Sequence, residues 1–119
     1  MTSNRLIIDL LNLERGKAYG FQEYVFNLLN YFHCHREDIR YERIIIWCKD
    51  TSKDMFKRFE DKFDIEPYTY SSYLEKHWLQ SVLPVRRGLN GNDLLFSPGN
   101  FSGVLKRCPE VLTIHDLLY

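Results

Sequence analysis

Two short apolar segments separated by a helical pattern constrain the fold of this chain more than any other feature. The first segment, Leu6 to Leu10, and the second, Arg43 to Cys48, are typical of strands that a parallel sheet buries on both faces. Between them, apolar residues recur every three or four positions from Phe21 to Phe32, which predicts a helix. A strand, a helix and a second strand predict a right-handed βαβ unit, and therefore a parallel sheet.

Two more helices are expected after the second strand. Asp50 to Ser52 offer N-cap side chains for the first of them, and the second runs from Ser72 to Leu89 and ends near Gly88. The buried stripe of this second helix is predicted to consist of Trp78, Leu79, Val82 and Leu83.

Three further strands complete the predicted sheet. Ile65 to Tyr70 forms a short strand whose Pro67 favours an edge position or a late start, and strands follow at Asp93 to Phe96 and at Glu110 to Ile114. The sequence thus predicts one α/β domain over residues 1–119, with a doubly wound, mostly parallel, Rossmann-like sheet of about five strands.

Composition and charge exclude several classes of protein. Sixteen basic residues balance sixteen acidic ones, so no overall field favours nucleic acid. The three cysteines are widely spread and match neither zinc-site nor disulfide spacing, which favours a reducing compartment. No apolar run reaches the roughly 20 residues of a membrane span, and the first residues lack a signal sequence. We expect a cytoplasmic protein, with peripheral contact at the inner face of the membrane left open.

Ligands of open parallel sheets bind beyond the carboxyl ends of the strands, at the point where strand order reverses. That rule selects three segments, which are Asp9 to Gly20, Ser97 to Asn100, and His115 with Asp116. Polar residues and glycines are concentrated in these segments, so they are the candidate ligand site.

Each candidate in these segments has a functional and a structural interpretation. Gly16 and Gly20 precede a helix whose free amide groups would attract a phosphate, or they relieve a tight turn. Asn100 binds a sugar hydroxyl or closes an Asx turn. His115 exchanges protons near neutral pH, or is a structural histidine.

Two other polar clusters are more simply explained by structural roles than by ligand binding. His33 and His35 flank Cys34, but side chains two positions apart on a helix point in different directions, so the cluster is not expected to bind a metal. The segments 76–78 and 86–87, with three Lys or Arg residues, suit anionic lipid headgroups or a solvated basic surface.

Two segments of the chain match motifs of a known enzyme family. The stretch from Gly20 to Val25 resembles a Gly-Ile-Gly-Arg-Tyr-Val helix start, and Asp93 to Pro98, followed by Pro109 to Asp116, resembles a strand, Ser-Pro, strand and His-Asp sequence in the same order. In both motifs the chain resembles glycosyltransferase family 4. The resemblance covers nearly the whole chain. It implies the N-terminal, acceptor-side half of a retaining GT-B enzyme, truncated before the C-terminal donor-binding domain and inactive on its own.

The resemblance also implies partners and roles for the candidate residues. The partners are a nucleotide-sugar donor and a glycan or lipid-linked acceptor, in polysaccharide biosynthesis, with no cofactor and no required metal. His115 is the implied catalytic residue, and the implied substrate-binding residues are Gly16, Gly20, Gln22, Ser97, Asn100 and Asp116. Gln22 and Glu23 replace a glycine and a basic residue of the family motif, so we expect acceptor contact to dominate at this helix start.

Two alternatives from other classes remain. One is a stand-alone flavodoxin-like binding or regulatory module, although the first strand ends in a single Asp9 and no glycine-rich phosphate loop follows it. The other is an inert or dimerising fragment, which would leave an apolar surface uncovered.

Overall fold

The computed structural model describes residues 4–14, 19–98 and 108–112. The strands of its sheet are β1 (Arg5–Leu10), β2 (Arg43–Lys49), β3 (Asp64–Tyr68), β4 (Leu94–Ser97) and β5 (Glu110–Leu112). They lie in the order β3-β2-β1-β4-β5, and every neighbouring pair is parallel. This confirms the predicted α/β fold with a Rossmann-like parallel sheet.

The strand order distinguishes two doubly wound topologies. It matches the 3-2-1-4-5 arrangement of Rossmann folds, whereas flavodoxin-like sheets have the order 2-1-3-4-5. The flavodoxin-like alternative is therefore wrong as a description of this sheet. Strand order reverses between β1 and β4, which pair in register from Leu6 with Leu94 to Ile8 with Phe96.

Helices cover both faces of the sheet. Helix α1 (Tyr19–Cys34) and a 3₁₀ helix (Asp50–Phe59) pack on one face, and helix α2 (Tyr73–Arg86) packs on the other. A short 3₁₀ turn at Arg36–Asp38 follows α1. Alternate residues of β1 enter the two cores, so Leu6, Ile8 and Leu10 face α1, and Ile7 faces α2. Within the described residues, no helix combines the length and apolar character needed to cross a membrane.

The helix after β2 differs from the prediction in type and in its cap. It is a 3₁₀ helix, its N-cap residue is Lys49, and the Lys49 side chain makes no capping hydrogen bond. Asp50 is the first residue of the helix, and its carboxylate accepts hydrogen bonds from the Thr51 backbone N–H at 2.8 Å and from Thr69 Oγ1 at 2.9 Å. Ser52 is buried and donates to the Leu13 carbonyl at 3.3 Å. The helix thus begins at the expected cap residue Asp50, which binds both a first-turn N–H and Thr69, while Ser52 is held by a tertiary contact.

Both ends of α2 are capped by local hydrogen bonds. Ser72 is the N-cap and accepts from the backbone N–H of Glu75 at 3.2 Å, while the Glu75 carboxylate accepts from the Ser71 N–H at 2.8 Å. At the other end, Gly88 has a φ of 66° and Leu89 donates to the Pro84 carbonyl at 2.9 Å. This Schellman motif ends the helix at Arg86, three residues earlier than predicted.

The buried face of α2 was predicted only in part. Leu83 is buried as expected, but Trp78 is 68% exposed, and Gln80 is buried in its place. Apolar residues occur on two sides of this helix, so their periodicity could not identify the side that meets the sheet. The hydrogen bond from Gln80 to Asp9 on β1 shows which side is buried.

Strand boundaries differ slightly from those predicted. Pro67 lies on the edge strand β3, as expected. Strand β4 begins at Leu94 rather than Asp93, because the Asp93 carboxylate accepts hydrogen bonds from the Arg5 backbone at 3.0 Å and from its guanidinium at 3.1 and 2.8 Å. The predicted residues 113 and 114 of the last strand lie outside the described residues.

We predict that Gly88→Ala destabilises the domain by about 1 kcal/mol, because an L-residue is strained in the left-handed conformation. Its added Cβ would meet no atom within 4 Å in the described part of the chain, so we expect the loss to come from backbone strain. Gly91→Ala is the matched control, since Gly91 also has open space and lacks a positive φ. Urea unfolding of both variants measures the difference, and equal stabilities would contradict the assigned helix end.

Candidate functional site

The candidate site lies at the carboxyl edge of the sheet, between β1 and β4. The chain leaves β1 toward α1 on one face, whereas α2 enters β4 from the other face. In doubly wound sheets, connections on opposite faces form a ligand crevice at the point where strand order reverses, so we expect the crevice here. Asp9 near the end of β1 and Ser97 at the end of β4 are the polar residues that the two central strands bring there.

Asp9 is the buried acid of this site. It is only 4% exposed, and it accepts hydrogen bonds from the Leu11 backbone N–H at 3.1 Å and from Gln80 Nε2 at 3.3 Å. Burial raises the pKa of Asp9 to about 6, although the two hydrogen bonds oppose the shift. The charge of Glu110 raises this pKa further, and that of Lys76 lowers it. Asp9 therefore changes charge close to neutral pH.

Gln80 couples α2 to this acid. Its side chain is 2% exposed, and its Oε1 atom finds no hydrogen-bond donor within the described part of the chain. While Asp9 is ionised, the amide must turn its N–H group toward the carboxylate, which leaves the oxygen without a donor. Protonated Asp9 can instead donate to Oε1 once the amide turns over. The pair thus has two hydrogen-bonded arrangements that differ by one proton.

Ser97 and Glu110 extend the polar cluster onto the last two strands. Ser97 is buried, and its Oγ donates to Glu110 Oε2 at 3.1 Å. The predicted substrate-binding residue Ser97 therefore lies at the expected edge, with its hydroxyl bound to a carboxylate of the neighbouring strand.

The rim of the crevice carries charged and aromatic side chains. Lys49 Nζ lies 3.2 Å from Glu14 Oε1 and 4.6 Å from the centre of the Tyr70 ring. The Tyr70 hydroxyl donates to the Leu11 carbonyl at 2.6 Å, and burial raises its pKa to about 12. Burial lowers the pKa of Lys76, while the charges of Glu14 and Asp9 partly restore it. The rim therefore brings two ammonium groups and a carboxylate together.

Two predicted site residues lie on the first turn of α1. Gly20 is exposed, and an added Cβ there would meet no atom of the described residues within 4 Å. Gln22 is half-buried, and its Oε1 has no hydrogen-bond partner within residues 4–14, 19–98 and 108–112. No side chain of the described residues stands in the way of a ligand that approaches the backbone at Gly20.

Four predicted site residues lie outside the described residues. They are Gly16, Asn100, Asp116 and the predicted catalytic residue His115. Their assignment remains a prediction from the sequence.

No group of three or more His, Cys, Asp or Glu side chains within the described ranges could hold a metal ion. In the His33 to His35 tract, His33 Nε2 lies 2.9 Å from Asp61 Oδ1, and His35 Nδ1 lies 2.9 Å from the Tyr31 carbonyl. Each histidine thus has its own partner.

Gln80 and Glu110 were not predicted as members of the site, and Asp9 was predicted only as the first residue of a candidate segment, without a role of its own. The available signal for its role was its isolation, because an acid between buried positions must meet a partner or hold a proton. Gln80 gave a weaker signal as a polar residue among apolar ones on α2. Only the packing of α2 on β1 reveals that the two side chains meet.

We predict that Asp9→Asn stabilises the domain at pH 7 by on the order of 2 kcal/mol, because the neutral amide avoids burying a charge. Since the folded-state pKa is raised to about 6, the acid contributes its full stability below its unfolded pKa of 3.8 and loses it as pH rises through about 6. The gain from the amide should therefore shrink as pH falls toward 4. Urea unfolding across this pH range measures it.

Asp93→Asn is the matched control and should behave in the opposite way. Burial alone would raise the pKa of Asp93, but hydrogen bonds from Arg5 and Asn90 and the Arg5 charge together hold it below its ordinary value. Its contribution is present above its unfolded pKa and is lost as pH falls, so Asp93→Asn should destabilise the domain at pH 7. Equal pH profiles for the two variants would contradict the assigned environments.

Comparisons of the chain with protein-family models, with curated proteins and with solved structures each found no match. Any function must therefore be argued from the fold, from the carboxyl-edge site and from the motifs of the sequence itself.

Proposed function

We propose that this chain is the N-terminal, acceptor-side domain of a retaining GT-B glycosyltransferase. The complete enzyme would move a sugar from a nucleotide-sugar donor to a glycan or a lipid-linked acceptor. The observation that carries the proposal is the position of the strand reversal between β1 and β4. Two of the segments that resemble the family lie next to this reversal. The segment that begins at Gly20 follows β1, and the segment that contains Ser97 ends β4.

The chemistry of the crevice suits a ligand rich in hydroxyl groups. The carboxylates of Glu14 and Glu110 are hydrogen-bond acceptors, and the ammonium groups of Lys49 and Lys76 are donors. A sugar presents donors and acceptors around its whole ring, so it can match such a mixed set. An entirely basic rim would instead favour a polyanion.

The proposed roles of the individual residues follow from the resemblance. Gly20, with its open approach, would contact the acceptor or the donor phosphates, and His115 would position and polarise the transferred sugar. A second, donor-binding domain would stabilise the departing phosphate, so this domain alone would be inactive. The proposed setting is cytoplasmic polysaccharide assembly, with no cofactor and no metal.

We predict that the complete polypeptide containing this domain releases nucleoside diphosphate from one member of a panel of nucleotide sugars. His115→Ala should lower that turnover about 100-fold or more, as expected for loss of a catalytic group. Gly20→Ala should lower it as well, because the new methyl group would meet the ligand and would contact no atom of the described residues. A coupled assay for released nucleoside diphosphate, run with an acceptor extract, measures both effects.

Gly91→Ala is the control for the second variant, because its added methyl group also enters open space. It should leave turnover unchanged. The proposal fails if residues 1–119 alone bind a nucleotide tightly and His115→Ala has no effect, since that outcome identifies a separate binding module.

A further inference from the structure

The α2 helix is apolar on the side that faces away from the sheet. Leu74 is 79% exposed, Trp78 68% and Val85 47%, and all three lie on one stripe with the half-buried Val82. The opposite side of the helix packs on the sheet through Leu83. A helix that is apolar on both sides is typically covered on both sides.

The stripe also has a shape that can receive a side chain. A groove of about 360 Å³ is lined by Trp78, Val82, Val85 and Arg86. Exposed tryptophan beside a shallow apolar groove is typical of the centre of a protein interface.

Two opposite charges flank this stripe on the same edge. Glu75 lies at its beginning and Arg86 at its end, three helical turns apart, so their side chains project from nearly the same side of the helix. The Arg86 guanidinium makes no hydrogen bond or ion pair with other described residues. The Glu75 carboxylate accepts from Ser71 and has acceptor positions left.

From this arrangement we propose that the outer face of α2 binds the same face of a second copy of this chain, with the two helices antiparallel. A twofold axis across the helices then sets Glu75 of each chain against Arg86 of its partner, which forms two equivalent ion pairs. With a rise of about 1.5 Å per residue, the partner's Val85 falls midway between Leu74 and Trp78 along the axis. The partner's Trp78 falls at the level of the groove between Val82 and Val85.

The charges of Glu75 and Arg86 favour a second, antiparallel copy of this chain over other binding partners. A parallel pair of helices would bring Glu75 to the level of the partner's Glu75 and Arg86 to the level of the partner's Arg86. Neither charge would then meet an opposite charge. An anionic lipid surface would be repelled by Glu75, and the nearby Arg87 is bound to Glu66 at 2.7 Å. The antiparallel pair is the arrangement in which both flanking charges find an opposite charge.

The test is the oligomeric state of the full chain, measured by sedimentation velocity over a range of protein concentrations. The wild type should form a dimer that dissociates on dilution. Trp78→Ala should raise the dissociation constant by roughly tenfold or more, as expected for a residue at the centre of an interface. Arg86→Glu should also raise it, because it sets two carboxylates against each other.

A charge swap separates the proposed geometry from general apolar association. The double variant E75R/R86E restores two opposite pairs in the antiparallel arrangement, so it should dimerise more tightly than Arg86→Glu alone. The matched controls are Tyr31→Ala, since Tyr31 is 59% exposed on α1, and Lys57→Glu on the 3₁₀ helix. Both controls should dimerise like the wild type, and circular dichroism checks that every variant is folded.

Three outcomes would overturn the proposal. One is a wild-type chain that is monomeric at every concentration. A second is a dimer that Trp78→Ala and Arg86→Glu leave unchanged, because its interface then lies elsewhere. A third is a monomer that sediments with phosphatidylglycerol vesicles and loses this binding on Trp78→Ala, which would assign the stripe to a lipid surface.

Discussion

The central position of β1 is the constraint on which the rest of the structure depends. Its backbone pairs with β2 along one edge and with β4 along the other, so the strand has no free edge. Both of its faces must then be covered by apolar side chains, because parallel sheets are buried on both sides. Helix α1 and the 3₁₀ helix cover one face and α2 covers the other, which places the strand reversal, and with it the candidate site, beside the end of β1.

One residue of β1 departs from this apolar rule. Asp9 is buried beneath α2, where Gln80 and the Leu11 N–H are its hydrogen-bond partners. An ionised carboxylate at this depth loses more hydration than these two neutral donors replace, which is why its pKa is raised. A buried acid of this kind lowers the stability of the domain. Groups with strongly shifted pKa values are concentrated at functional sites, so the position of Asp9 at the edge of the crevice suggests a functional role for it.

Helix α2 connects the two proposals. Its inner side supplies Gln80 to the buried acid and Lys76 to the rim of the crevice, while its outer side presents Trp78 and the stripe around it. Because a helix moves largely as a rigid unit, contacts on its outer side can influence the position of Gln80 on the inner side. A dimer formed through α2 would therefore hold the wall of the candidate site in place.

The sequence by itself determined the fold class, the parallel sheet, the edge position of Pro67 and the position of Asp9 and Ser97 at the carboxyl ends of their strands, because each depends on local periodicity or local backbone chemistry. Only the tertiary structure decided the strand order, the exposure of Trp78 and the meeting of Asp9 with Gln80, 71 residues apart. It also decided the 3₁₀ form of the helix after β2, whose first residue Asp50 binds Thr69 as well as a backbone N–H of the first turn. Such contacts join residues distant in the chain, and local patterns do not record which of them meet.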